Sequence, residues 1–137
     1  MKKTYLFLLL AVTFFSCGDG ERSNNNPNIP NYTVNFSVDM NLPTYSNLKF
    51  VSNAVIVPNY GAKGIIIFNT GSGYNAFDAA CPNQSLNSCV AMTINGINAV
   101  CSCDKEEYSL FTGLGKKEYP LKQYRVSVNG TLINVYN

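Results

Sequence analysis

The chain has 137 residues, five of them cysteine and none of them histidine or tryptophan. Ten Lys and Arg stand against eight Asp and Glu, and two of the basic residues, Lys2 and Lys3, lie at the extreme N-terminus. The remainder is near neutral, and no basic run interleaved with aromatics exists to bind nucleic acid. Without histidine, Ser–His and Cys–His nucleophile schemes are excluded within this chain.

Residues 1–16 read as a targeting segment. Lys2 and Lys3 make a positive start, and residues 5–15 are an apolar stretch too short to span a bilayer. The stretch ends in Phe14-Phe15-Ser16-Cys17, which resembles the lipobox of bacterial lipoproteins, with Phe14 where Leu is usual. That resemblance implies cleavage before Cys17 and lipidation of its thiol. An ordinary secretory signal ending near a cysteine is the alternative. Residues 17–31 would then be the lipidated Cys and a flexible tether, because the stretch is rich in Asn, Pro and Gly and has little to bury. Asp19 and Glu21 are similar to surface-export signals of some Bacteroidota lipoproteins.

Residues 32–137 suit one domain with one core. Residues 32–38 alternate, with Val34, Phe36 and Val38 on one face. Residues 54–57 and 64–69 are short β-branched runs bounded by turn residues, and 74–79 lead into the first cysteine. Residues 41–52 are ambiguous between a loop and a short helix. Residues 121–128 and 131–136 flank Asn129-Gly130 as a final hairpin. Short strands broken by Gly, Asn and Pro, with no long helical period, predict an all-β sandwich or small barrel.

Four cysteines fall in two groups, Cys81 with Cys89 and Cys101 with Cys103. Between them residues 90–94, Asn95-Gly96 and 97–100 read as a hairpin, with Asn-Gly supplying two positive-φ positions. The groups therefore sit at the two feet of one hairpin. Such sulfur clusters make either a metal site or a pair of disulfides, and four cysteines allow three connectivities.

The stretch from about Phe50 to the C-terminus resembles the Rieske iron–sulfur domain family. That family carries a first box Cys-x-His, a hairpin, and a second box Cys-x-x-His. Here the boxes are Cys81-Pro82-Asn83 and Cys101-Ser102-Cys103-Asp104, and residues 76–81, 109–113 and 119–135 resemble the family's flanks and closing hairpin. The resemblance implies stacked antiparallel sheets carrying a small two-loop subdomain of the cluster-binding type. It places Cys81 and Cys101 at the thiolate ligand positions, and Asn83 and Asp104 at the two histidine positions. Glu106 stands where a cluster-tuning Ser is frequent, and Lys105 where Gly precedes it. A Rieske centre needs two neutral imidazoles, so Asn83 and Asp104 are expected not to bind and the cluster to be lost. The resemblance also implies a Cys89–Cys103 disulfide joining the two loops. For Cys81 and Cys101 it leaves a second disulfide, free or redox-active thiols, or another metal such as zinc with Asp104.

Other constellations are weaker. Asp104, Glu106 and Glu107 form an acidic group beside Lys105, read as a solvated loop or as a contact for a cation or partner. Asp78 could orient a loop or cap a turn. Tyr108 is expected to pack beneath the second loop. The combined expectation is a lipoprotein of the cell envelope, in the outer membrane, acting as a non-enzymatic binding or structural module without a cofactor. The membrane through the lipid anchor and an envelope protein are the expected partners. The alternatives are electron transfer through a [2Fe-2S] cluster with non-histidine ligation, and a thiol–disulfide redox pair at Cys81 and Cys101.

Overall fold

The computed structural model describes residues 25–137, so the expected leader and Cys17 lie outside the described residues. The order is β1 (Asn35–Asp39), a 3-10 helix (Pro43–Lys49), β2 (Ala54–Val57), β3 (Ile65–Asn69), β4 (Tyr74–Asp78), β5 (Thr93–Asn95), β6 (Asn98–Val100), β7 (Glu107–Ser109), β8 (Gln123–Asn129) and β9 (Leu132–Tyr136). Six strands form one sheet in the order β1-β9-β8-β4-β3-β2, and β5-β6-β7 form a second. Every pairing is antiparallel. The all-β expectation holds, and the ambiguous stretch contains one short helix that Pro43 starts.

The strand β3 separates two cores. Its continuous apolar run is buried along its whole length, which requires cover on both faces. Ile65 and Ile67 face a cluster with Phe36, Val38, Leu48, Ile133 and Val135. Ile66 and Phe68 face the other way, into a cluster with Phe77, Met92, Ala99, Tyr108, Leu110 and the cysteines Cys81, Cys89 and Cys101. The second cluster is the floor of the two-loop subdomain.

Both hairpin turns are shifted by one residue from the sequence expectation. Asn95 pairs with Asn98, and Asn129 with Leu132, so the turns are Gly96-Ile97 and Gly130-Thr131. The glycines have φ of 59° and 62°, and no non-glycine residue in either turn has positive φ. A glycine at the first central position is the type II′ solution, which twists with the strands as well as Asn-Gly in type I′ does. The observed register places Ile94 opposite Ala99, whose side chain is fully buried.

Residues 26–31 fall inside the stretch read as tether, yet they lie against the domain. Ile29 is buried, and the Asn26 and Asn28 side-chain amides both donate to the Pro82 carbonyl, at 2.8 and 3.0 Å. The buried Lys122 donates to the Pro30 carbonyl at 2.7 Å and to Asn31 Oδ1 at 2.8 Å. Among the described residues no helix is long and apolar enough to cross a membrane.

Candidate functional site

The first loop, residues 81–89, leaves the end of β4, and Asp78 anchors that end. Its carboxylate is fully buried and accepts the Ala62 and Lys63 amides at 2.7 and 3.2 Å, the Ala80 amide at 2.9 Å and the Tyr124 hydroxyl at 2.9 Å. One side chain thus joins the 61–63 turn, β8 and the start of the first loop. Gly61 is required there: its φ is +63°, and a Cβ would meet the Tyr124 hydroxyl at 2.9 Å and crowd the Asp78 carboxylate. Burial, with the charge and hydrogen bond of Asp78 added, pushes the Tyr124 phenol well above its ordinary range. Burial pushes the neighbouring Lys122 ammonium down, with the charge of Asp78 opposing. This geometry matches both readings of Asp78: the bond from the Ala80 amide two residues on caps a turn, and the bonds from Ala62, Lys63 and Tyr124 fix the end from which the loop leaves.

The second loop, residues 101–106, joins β6 to β7. The Cys101 amide donates to the Glu106 carbonyl at 2.9 Å, and the Lys105 amide to the Cys101 carbonyl at 3.0 Å. Closing so tight a loop puts Lys105 at φ of 59°, a left-handed conformation that suits glycine. Lys105→Gly is expected to stabilise the domain by about 0.5–1 kcal/mol, seen as a raised thermal midpoint. A lowered midpoint would show that the Lys105 ammonium, 3.0 Å from the Ser102 carbonyl, matters more than the backbone strain.

The four residues at the ligand positions are brought together, and each is already bonded within the chain. Cys81 and Cys101 form a disulfide with Cα atoms 5.5 Å apart. Cys89 and Cys103 form a second with Cα atoms 5.8 Å apart, the pairing the family resemblance implies. The Asn83 amide donates to the Tyr119 carbonyl at 2.8 Å and the Tyr108 hydroxyl at 2.9 Å, and its oxygen accepts the Tyr119 amide at 3.0 Å. Asp104 accepts Lys117 Nζ at 2.6 Å and Gln84 Nε2 at 2.7 Å on Oδ2, and the Glu106 amide at 3.0 Å on Oδ1. Buried Tyr108 packs beneath, as expected.

The hydrogen bond from Lys117 is the largest reason that the Asp104 carboxyl sits at about 2, well below the usual range. A carboxyl depressed in the folded state contributes stability above its ordinary value near pH ~4 and loses it as pH falls toward about 2. Wild type should therefore exceed Lys117→Ala in urea midpoint at neutral pH, with the gap closing between about pH 4 and pH 2. A gap unchanged over that range would show that Lys117 acts by packing alone.

Sequence reading singled out neither Gln84 nor Lys117, and took Tyr119 only as the start of the stretch resembling a closing hairpin. The segment 116–120 forms a third wall of the site, where the Lys116 amide also donates to Glu106 Oε1 at 2.6 Å. The acidic group is consumed by the fold: Glu107 accepts from Asn98 at 2.8 Å, and Asp104 and Glu106 hold the third wall. The signal available was the lysine pair at 116–117, opposite in charge to the acidic loop.

These donors do not fit a Rieske-type [2Fe-2S] centre. That centre takes two thiolates and two imidazoles. Here the sulfurs at the thiolate positions are bonded to each other, no imidazole exists in the chain, and the Asn83 and Asp104 side chains are committed to neighbours.

The architecture, a six-stranded antiparallel sheet with a small three-stranded sheet that carries two facing loops, is a Rieske-like all-β fold. It is similar to a chain of the complex of reduced oxygenase and oxidized ferredoxin in carbazole 1,9a-dioxygenase, at 17% identity and a TM-score of 0.51, covering 77% of this chain and 94% of that one. It is also similar to the ferredoxin of carbazole 1,9a-dioxygenase from Nocardioides aromaticivorans IC177, at 13% identity and a TM-score of 0.50, covering 77% and 98%. At these identities the likeness is one of fold. No protein-family model matches the chain, and no curated protein does.

Proposed function

We propose that this chain is a lipid-anchored protein of a bacterial cell envelope, in which a Rieske-like domain works without an iron–sulfur cluster as a non-enzymatic binding or structural module. The carrying observation is the closure of the ligand positions: Cys81 on Cys101, Asn83 on the Tyr119 backbone, Asp104 on Lys117. A site kept for electron transfer would keep imidazole donors there. The ferredoxin likeness supports the fold of this reading and not a redox role, because the two imidazoles that would help hold a cluster are absent from the chain. The lipobox resemblance at Cys17 supports the anchor, and the outer membrane is the expected location.

The anchor is tested by expressing the full chain in a bacterium that processes lipoproteins. The wild type should fractionate with membranes and carry an acylated Cys17 at its mature N-terminus, and Cys17→Ser should not. A soluble wild type cleaved elsewhere would overturn the anchor and leave a secreted protein. A second reading, thiol–disulfide chemistry, is favoured by one observation: the sulfurs of Cys81, Cys89 and Cys101 all lie within 4.8 Å of one another.

A further inference from the structure

The two disulfides are adjacent but unequally accessible. Cys81 and Cys101 are 4% and 0% exposed and lie on the floor of the subdomain. Cys89 is buried too, whereas its partner Cys103 is exposed at the tip of the second loop. A reductant in water can reach Cys103 and cannot reach the inner pair. The Cys89 sulfur is the link, bonded to the sulfur of the exposed Cys103 and within 4.8 Å of both inner ones.

We propose that the pair is an internal disulfide relay: Cys103 receives an external dithiol, Cys89 carries the exchange inward, and the buried Cys81–Cys101 bond is its target. This rests on the cluster-free reading, since thiolates bound to iron would leave no inner disulfide to attack.

A thiolate of the dithiol attacks the Cys103 sulfur, the Cys89–Cys103 bond breaks, and Cys89 leaves as a thiolate. The second thiol of the reductant then displaces Cys103, so the dithiol ends as a disulfide. Two electrons pass to the protein, and the two protons of the dithiol become available to Cys89 and Cys103. The Cys89 thiolate next attacks one inner sulfur. A new bond from Cys89 forms, the Cys81–Cys101 bond breaks, and the displaced inner cysteine leaves as a thiolate. This last step is an isomerisation with no net electron transfer. Burial of Cys89 shields that thiolate from solvent reagents while its nearest electrophile is the inner disulfide.

The test is partial reduction of the oxidised full chain in detergent with limiting dithiothreitol. Acid quenching, thiol alkylation and disulfide mapping by mass spectrometry follow, with iron and sulfide measured on the same sample. The relay predicts a one-disulfide species with Cys103 alkylated and Cys89 linked to Cys81 or Cys101. It also predicts that Cys89→Ser slows opening of the Cys81–Cys101 bond in folded protein at least tenfold. Retention of Cys81–Cys101 with both Cys89 and Cys103 alkylated would overturn it, as would two bonds that resist reduction until the protein unfolds. Cys103→Ser gives an independent reading, with Cys89 expected in mixed linkage to the inner pair without reductant. If that variant does not fold, the wild-type map still decides. Iron and sulfide on Cys81 and Cys101 would overturn the cluster-free reading and the relay with it. An iron-free protein without exchange would overturn the relay alone.

Discussion

Replacing Asp78 with alanine is expected to destabilise the domain by about 4 kcal/mol, among the largest effects of any single substitution. The reason is the number of donors that would lose a partner. Three backbone amides and the Tyr124 hydroxyl converge on the Asp78 carboxylate, which has no solvent exposure. An unpaired buried donor costs about 1–3 kcal/mol, and several of them cannot all relax toward water at once. Tyr124→Phe removes one donor and keeps the acceptor, so its cost should be about 1–2 kcal/mol. Chemical denaturation of the three proteins checks the order. Equal losses for Asp78→Ala and Tyr124→Phe would mean that the backbone donors find other partners and that Asp78 anchors β8 alone.

Removing the inner disulfide, with Cys81→Ala and Cys101→Ala together, is expected to cost about 3–4 kcal/mol. The bond spans 20 residues of sequence, and tethering a loop of that size restrains the unfolded chain by about 3 kcal/mol. The loss of two sulfurs from the packed cluster around Phe77, Met92 and Tyr108 adds to it. The outer bond spans 14 residues, so chain entropy alone makes Cys89→Ala with Cys103→Ala nearly as costly. The inner pair should exceed the outer by its packing, because Cys103 is exposed and leaves little cavity. A larger loss from the outer pair would place the stability of the subdomain in its loop tips rather than its floor.

Most of the strand plan was legible because it rests on local alternation and on turn residues. Phe36 and Val38 on β1, the apolar run of β3 and the final hairpin all follow from period and punctuation. The turn register was not, since Asn-Gly fits both a turn centred on Asn-Gly and one that begins at the glycine. The strand β7 escaped notice because only Tyr108 of its three residues faces inward. Pairing with β6 defines it, and that is a tertiary fact.

The two loops were legible through a motif, and their closure was not. Asn83 and Asp104 stand out in the sequence only as departures from histidine. Their partners Tyr119 and Lys117 lie 36 and 13 residues away on a segment with no strand or helix signal. The docking of residues 26–31 was hidden for a similar reason. Asn26, Asn28 and Asn31 read as linker composition, and only contact with Pro82 and Lys122 makes them part of the fold.

The four ligand positions are closed within the chain instead of on iron, Cys81 on Cys101, Asn83 on Tyr119 and Asp104 on Lys117. The direct measurement uses the full chain, produced with iron–sulfur assembly intact and purified in detergent without oxygen. Its visible absorption, iron, acid-labile sulfide and free thiols are read on one sample. The expected result is a colourless, folded protein with neither iron nor sulfide, and with Cys81, Cys89, Cys101 and Cys103 all in disulfides. A brown protein with stoichiometric iron and sulfide, and with Cys81 and Cys101 protected from thiol reagents until the iron is removed, would contradict the account.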